Sequence, residues 1–482
     1  MSYAQNKLYS LLFACSCARR DAQLGINLCH GVTIFATDYN ERRDYSMLQV
    51  KRPELHRVHL NWTTVFQYAF ILCVILDFRS IWLYTDSLTS VGRIVKLLMG
   101  LSVAGGIISR KKLSFNRVLN CFAVIACLLA YWSLWYLADS LKSGSMFTVL
   151  VQFMAIIVYC LIVEESVDDT MQKYTNIVLV IAIVSLFFWV FGSLLRRIHS
   201  TGILYTTWTG NDELKRVSSY YGIYFETQAD NFFGLVLSRF YRNSAIFTEG
   251  PMASFVFSLA FLYEMLMREK LNWKRCLLFA GAVISTTSTT GVSALIIVVG
   301  LRYVFTKSRA KCGLSLKMIL VPTAFVVALV MLSFLLEQKL GTVSGSIRVD
   351  DFVAGYHAWM DAPLFGNGYG NDDSIKQYMS SFRSYNQGFS NSPMQVLVYG
   401  GIYLFLPYCI SAFMGIFNMA RGKQWIRIAF YLVFLYEFII TMCPFQMLTF
   451  YLFVSMARQA GKATVTRREF CKLLVLKKNL LN

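Results

Sequence analysis

Two stretches of this chain, residues 196–244 and 337–392, interleave aromatic residues with isolated arginines. The first holds Arg196, Arg197, Tyr205, Trp208, Tyr220, Tyr221, Tyr224, Phe225, Arg239, Tyr241 and Arg242. The second holds Arg348, Tyr356, Trp359, Tyr369, Tyr378, Phe382, Arg383 and Tyr385. Guanidinium forks match paired phosphate oxygens and keep their charge at any working pH. Aromatic faces suit sugar rings. The combination points to a ligand that is both glycan and phosphate. The competing reading is an aromatic belt at a membrane surface with snorkelling arginines, and it explains any single tyrosine well. Two such stretches together favour the ligand.

A hydroxyl nucleophile in such a reaction calls for a base. Glu249, seven residues after Arg242, is the first candidate. Its bland role is a carboxylate at a helix start, with Pro251 at an early helical position. His357 is the alternative base, although a lone histidine near Trp359 is more often a packing residue. Gly366-x-Gly368-x-Gly370 lacks the strand and helix of a nucleotide fold and reads as a turn. Asp350-Asp351 and Asp372-Asp373 have the donors for a divalent ion, but solvated or turn carboxylates account for them better. His56-x-x-His59 has no third ligand nearby. No metal and no cofactor is implied.

The elements carrying these residues follow from composition. The chain has 482 residues, 56% hydrophobic and 15% charged, with a mean hydropathy of +0.50. Soluble domains carry about a quarter charged residues, so an ordinary soluble enzyme is excluded. The net charge of +19 does not signal nucleic acid, because the basic residues gather in short connections between apolar runs.

A helix crossing hydrocarbon needs about 20 apolar residues. Runs of that kind fall near 62–84, 91–108, 118–138, 145–163, 175–195, 245–266, 318–336 and 393–417. Two longer runs, 276–305 and 428–457, break near their middles, at the hydroxyl run before Gly291 and at Cys443-Pro444. Read as pairs of short helices, they bring the count to about 12, within roughly 10–13. One long tilted helix at either place is the rival. The expected fold class is an all-α polytopic membrane protein with two large outward loops.

Basic residues orient it. Arg110, Lys111, Lys112 and Arg117, then Arg268, Lys270, Lys274 and Arg275, then Lys307, Arg309, Lys311 and Lys317, then Arg421, Lys423 and Arg427 all fall on the side of both termini. That side is the cytoplasm. Only the 164–174 connection, with Glu164, Glu165, Asp168 and Asp169, sits poorly there. None of the 12 cysteines lies in an outward loop, so no disulfide framework is expected. The resulting domains are a cytoplasmic segment 1–61, a helical bundle 62–195, an outward loop 196–244, central helices 245–336, a second outward loop 337–392, final helices 393–457 and a basic cytoplasmic tail 458–482. Residues 1–61 receive no function, and Met47 is an alternative start. Asp77, Arg79 and Glu437 are charges inside or at the ends of spans, either positioning a ligand or locking helices together.

Three segments resemble the O-antigen polymerase and ligase superfamily of bacterial membrane glycosyltransferases. Arg242-Asn-Ser-Ala-Ile-Phe-Thr-Glu249-Gly-Pro251 is similar to the family's arginine, phenylalanine and Glu/Asn-Pro at a helix start. Arg348 leading through Trp359 to Ala362-Pro-Leu-Phe-Gly-Asn-Gly-Tyr-Gly370 resembles its arginine, tryptophan and Pro-Leu-x-Gly-x-Gly. Ser390-Asn391-Ser392-Pro393 with Gln395 and Gly400-Gly401 resembles the asparagine that opens its next span. The order matches over roughly residues 175–457. Ligases of this family typically carry a histidine before that asparagine, and Ser390 stands there instead, which favours a Wzy-type polymerase.

The resemblance implies a GT-C-like fold in the bacterial inner membrane. It also implies transfer of a growing glycan from undecaprenyl pyrophosphate to another lipid-linked repeat, without a cofactor. Implied pyrophosphate-binding residues are Arg242 and Arg348, with Arg239, Arg196 and Arg197 behind them, and Glu249 or His357 would be the base. Tyr221, Tyr224, Trp359, Tyr369 and Asn391 would meet the glycan. A flippase and a chain-length regulator would be partners, and nucleic acid would not. Ligase activity is the nearest alternative, and a lipid-linked oligosaccharide flippase is the second.

Overall fold

A segment surrounded by hydrocarbon has no water for its N–H and C=O groups, so the apolar runs close their hydrogen bonds internally as helices. A computed structural model describes residues 61–83, 85, 89–110, 113–138, 144–206, 215–230, 240–268, 270–305, 343–383 and 387–459. The expected span 318–336, Arg239, Trp208, Tyr385, His56 with His59, and the two terminal segments lie outside the described residues. The helices are α1 Trp62–Asp77, α2 Thr89–Ile108, α3 Phe115–Ala138, α4 Gly144–Val158 and α5 Val167–Phe188. After them come α6 Gly250–Leu262, α7 Trp273–Ser285, α8 Thr289–Phe305, α9 Val343–Asp361, the short α10 Asp373–Lys376, α11 Ser392–Arg421 and α12 Trp425–Ile440. A last helix, α13, covers 447–459. Wider π turns, Tyr159–Val163, Trp189–Leu194 and Tyr263–Met267, extend α4, α5 and α6.

Among the described residues six helices are long and apolar enough to cross a membrane, and α1 and α8 are apolar but shorter. The run 276–305 is divided by a turn at 286–288, where Thr287 takes φ 52°, and the run 428–457 by the irregular stretch 441–446. The centre of the bundle is the α6 span, 89% of which is buried, whereas α3 is only 17% buried. Phe122, Leu134 and Leu137 of α3 are exposed. So broad an apolar surface is stable against lipid, not against water.

Contacts at one end join connections that are far apart in sequence. Arg427 pairs with Asp168 at 2.8 Å, Arg110 with Glu165 at 3.7 Å, and Arg458 with Glu164. Arg275 reaches Glu264 at 2.9 Å and Asn176 at 2.9 Å. The acidic 164–174 connection is therefore the partner of the basic residues expected on its own side. Elsewhere 242–249 meets the end of α1, where Thr248 N–H donates to the Arg79 carbonyl at 3.0 Å.

Three expectations change. The fold is mostly rather than purely helical, because the first long connection carries strands: β1 Gly202–Thr206, β2 Lys215–Tyr220 and β3 Tyr224–Glu226 form an antiparallel sheet, and β4 Ala229–Asp230 pairs with β5 Phe240–Tyr241. Val217 and Phe225 of the sheet pack on Ile81, so alternating apolar residues find a surface to cover. The second connection contains the 19-residue α9. Finally, α1 ends at Asp77 and not near 84, because Asp77 accepts from Gln152 at 2.8 Å and from the Met447 N–H at 3.0 Å while Arg79 turns the chain at φ 54°.

The 30-residue α11 is two helices in one. Gly401 breaks it with φ 61° and ψ −165°, and the 363–367 turn docks in the break. Ile402 N–H donates to the Pro363 carbonyl at 2.9 Å and Tyr403 N–H to the Leu364 carbonyl at 3.0 Å. A Cβ on Gly401 would lie 2.3 Å from the Leu364 backbone. The second and third family-like motifs are thus one packed unit. Gly401→Ala is expected to destabilise it by at least about 1–3 kcal/mol from backbone strain, read as a lower Tm in detergent and lower membrane abundance.

Candidate functional site

The first motif closes around the N-terminus of α6. Arg242 Nε donates to the Thr286 carbonyl, in the turn between α7 and α8, at 2.8 Å. Its guanidinium lies over Gly250, where a Cβ would fall 2.9 Å from Nε. Glu249 is the N-cap residue of α6, half-buried, and its carboxylate makes no capping bond. The chain between them is buried and polar. Asn243 Nδ2 donates to Ser285 Oγ at 2.9 Å, Ser244 Oγ to the Phe225 carbonyl at 2.9 Å, and Thr248 N–H to the Arg79 carbonyl at 3.0 Å. Irregular backbone at this depth is stable only when neighbouring protein satisfies it. Here α7, the sheet and the end of α1 do so.

Arg348 is on α9. Its Nη1 reaches the Ile440 carbonyl at 3.5 Å, one of the open carbonyls at the C-terminus of α12. That distance is at the long limit of a hydrogen bond, so most of the fork stays available. Burial pulls the Arg348 pKa down, opposed by Tyr436 and Asp351. Helix α8 connects the two arginines. It begins just after Thr286, its Ser293 bonds Tyr436 of α12, and Tyr436 neighbours Arg348.

Arg383 has the opposite fate. It is buried, with Nη1 2.7 Å from Asp351 and 3.1 Å from Asp350, and Nη2 donating to the Gly388 carbonyl at 2.6 Å. Ser390 donates to Asp351 through N–H at 2.9 Å and Oγ at 2.5 Å. Burial pushes the Asp351 carboxyl up, and Ser390 and Arg383 offset this in part. Asp350 and Asp351 are therefore neither solvated nor turn residues. They tie Arg383 and the chain at 388–390 to α9, and Ser390 is committed to the same anchor.

The other expected residues divide by exposure. Arg196 and Arg197 are exposed just past the π turn of α5. Tyr221, 67% exposed, tips the β2–β3 turn at φ 52°. His357 is exposed, its ring 5.6 Å from Tyr378. Trp359 donates to the Pro363 carbonyl at 3.1 Å, and Tyr369 is half-buried, 5.0 Å from Phe445. One glycan-contact expectation is corrected. Tyr224 is 0% exposed, its hydroxyl 3.0 Å from Ser193, and packs in the core under the sheet. Asn391 uses its Oδ1 to cap α11, accepting from Met394 N–H at 3.1 Å.

The sequence reading singled out the hydroxyl run that holds Thr286 without giving it a contact, and it missed Gln228 and Tyr436, which act on the arginines from other elements. It also missed Glu226, buried and accepting from Ser193 at 2.8 Å and Tyr220 at 2.9 Å. No local pattern marks them. Beside Phe445, an apolar cleft lined by Trp132, Phe153, Pro407, Tyr408 and Phe450 runs between α3, α4, α11 and α13.

The fold defines a mostly helical membrane protein with a polar cluster at one end of its bundle. A scan against known protein families finds no match, and neither does a search of curated proteins.

Proposed function

We propose that this chain polymerises undecaprenyl-pyrophosphate-linked oligosaccharide repeats into O-antigen or a related surface polysaccharide. In this reading it is a multi-pass protein of the bacterial cytoplasmic membrane, with about 12 spans, both termini inside and the Arg242–Arg348 end outside. The observation that carries the reading is that the Arg242 guanidinium lies over the same helix start whose N-cap residue Glu249 has a carboxylate without a partner among the described residues.

The chemistry follows from those groups. An acceptor hydroxyl attacks the anomeric carbon of the donor glycan, and its proton passes to Glu249. The bond from that carbon to the pyrophosphate oxygen breaks, and the leaving pyrophosphate gains charge that Arg242 and Arg348 hold. His357 is less suited as the base, being exposed and turned to Tyr378. The apolar cleft beside Phe445 has the lining for an isoprenoid chain. A flippase supplying repeats and a chain-length regulator are the expected partners.

The ligase alternative is weakened because Ser390 is bonded to Asp351. The transporter alternative is weakened because Asp77 and Glu437 bond neighbouring helices through Gln152, Met447 and Ser258. Reconstitution in liposomes with purified lipid-linked repeat should give a ladder of products still on undecaprenyl pyrophosphate. A single transfer to another acceptor would indicate a ligase. Translocation without lengthening would indicate a flippase.

A further inference from the structure

The first turn of a helix leaves backbone N–H groups without intrahelical partners, and a polar side chain at or near the N-cap commonly meets one of them. At the start of α6 each of these donors has another acceptor. Gly250 N–H donates to Gln228 Oε1 at 3.3 Å. Pro251 has no N–H. Met252 N–H and Ala253 N–H both reach the Glu249 carbonyl, at 3.1 and 3.2 Å. The donor count closes without the Glu249 carboxylate, and among the described residues that carboxylate has no hydrogen-bond or ion-pair partner.

Gln228 does a second thing. Its backbone carbonyl accepts the Arg242 N–H at 2.9 Å, next to the β4–β5 pairing of Ala229 with Tyr241. One residue, reaching in from the outward connection, therefore fixes the backbone of Arg242 and caps the helix that carries Glu249. The charged residues on the segments that bond to one another at this helix start are Arg242, Arg79 and Asp77 at the end of α1, Glu226 on β3 and Asp230 on β4, while the 286–288 turn carries none.

We infer that Gln228 is a positioning residue: by capping α6 in place of Glu249, it keeps that carboxylate free to take the acceptor proton. The inference rests on the proposed polymerase reading. Gln228→Ala keeps the backbone carbonyl for Arg242 and removes only the cap. Gly250 N–H then draws on the nearest carboxylate, and a carboxylate that accepts an N–H holds its proton less tightly.

The test is the pH–rate profile of the full-length protein in liposomes with purified lipid-linked repeat. Gln228→Ala should lower kcat by about tenfold and move the acid limb to lower pH, with KM unchanged. Gln228→Glu keeps an acceptor and adds a negative charge, so it should retain more activity and move the acid limb to higher pH. A purely structural cap would lower abundance and leave both limbs in place, and unmoved limbs in both variants would overturn the inference. Glu249→Gln separates the two levels. If it is inactive while the Gln228 variants leave the profile unmoved, the base stands and the positioning role fails. If it keeps normal turnover and the normal acid limb, the base assignment fails, and the role of Gln228 falls with it.

Discussion

Arg348→Ala should abolish ladder formation in the reconstituted reaction while membrane abundance stays at the wild-type level. Removing one well-placed donor that holds developing charge commonly costs about 10²–10³ in turnover. Arg348 is placed for this role because, among the described residues, its guanidinium makes a single long hydrogen bond, to the Ile440 carbonyl at 3.5 Å. Lysine keeps the charge but loses the planar fork, so Arg348→Lys should recover only part of the rate. If the residue serves chiefly to cap α12, lysine should restore function almost fully and alanine should lower Tm. Near-normal ladders from Arg348→Ala at normal abundance would remove the pyrophosphate assignment.

Arg383→Ala should give the reverse signature. Its guanidinium is buried between Asp350 and Asp351, and removing it strands two buried carboxylates. Breaking a buried ion pair from one side typically costs about 3–5 kcal/mol. The expected result is a marked drop in Tm in detergent and in membrane abundance, with the surviving protein keeping its specific activity. Double replacement of Asp350 and Asp351 by Asn in the Arg383→Ala background should recover part of the stability, because the stranded charge is gone. An unchanged Tm for Arg383→Ala would show that the packing of 383–390 on α9 does not depend on this anchor.

The contrast between these two arginines shows what was legible in the residues. Both lie in the same aromatic-rich stretch, and composition gives no means of telling them apart. The same holds for Tyr221 and Tyr224, three positions apart, one tipping an exposed turn and the other sealed beneath the sheet. Span placement was more legible, since a helix in hydrocarbon is a local solution and its apolar run is contiguous. The breaks at 286–288 and 441–446 were visible as a hydroxyl run and a Cys-Pro pair. The break at Gly401 was not, because its cause is the docking of the 363–367 turn from another motif.

By itself, then, the sequence determined that this is a mostly helical membrane protein and which segments carry arginine and aromatic chemistry. Hydropathy and charge are properties of consecutive residues, and a bilayer sorts them directly. The tertiary structure alone decided which side chains remain available. It spent Arg383, Tyr224 and Asn391 on internal contacts, brought Thr286 to Arg242, and supplied Gln228 as the cap that leaves Glu249 uncommitted. Burial and hydrogen-bond partners depend on residues distant in the chain, so no local spacing encodes them.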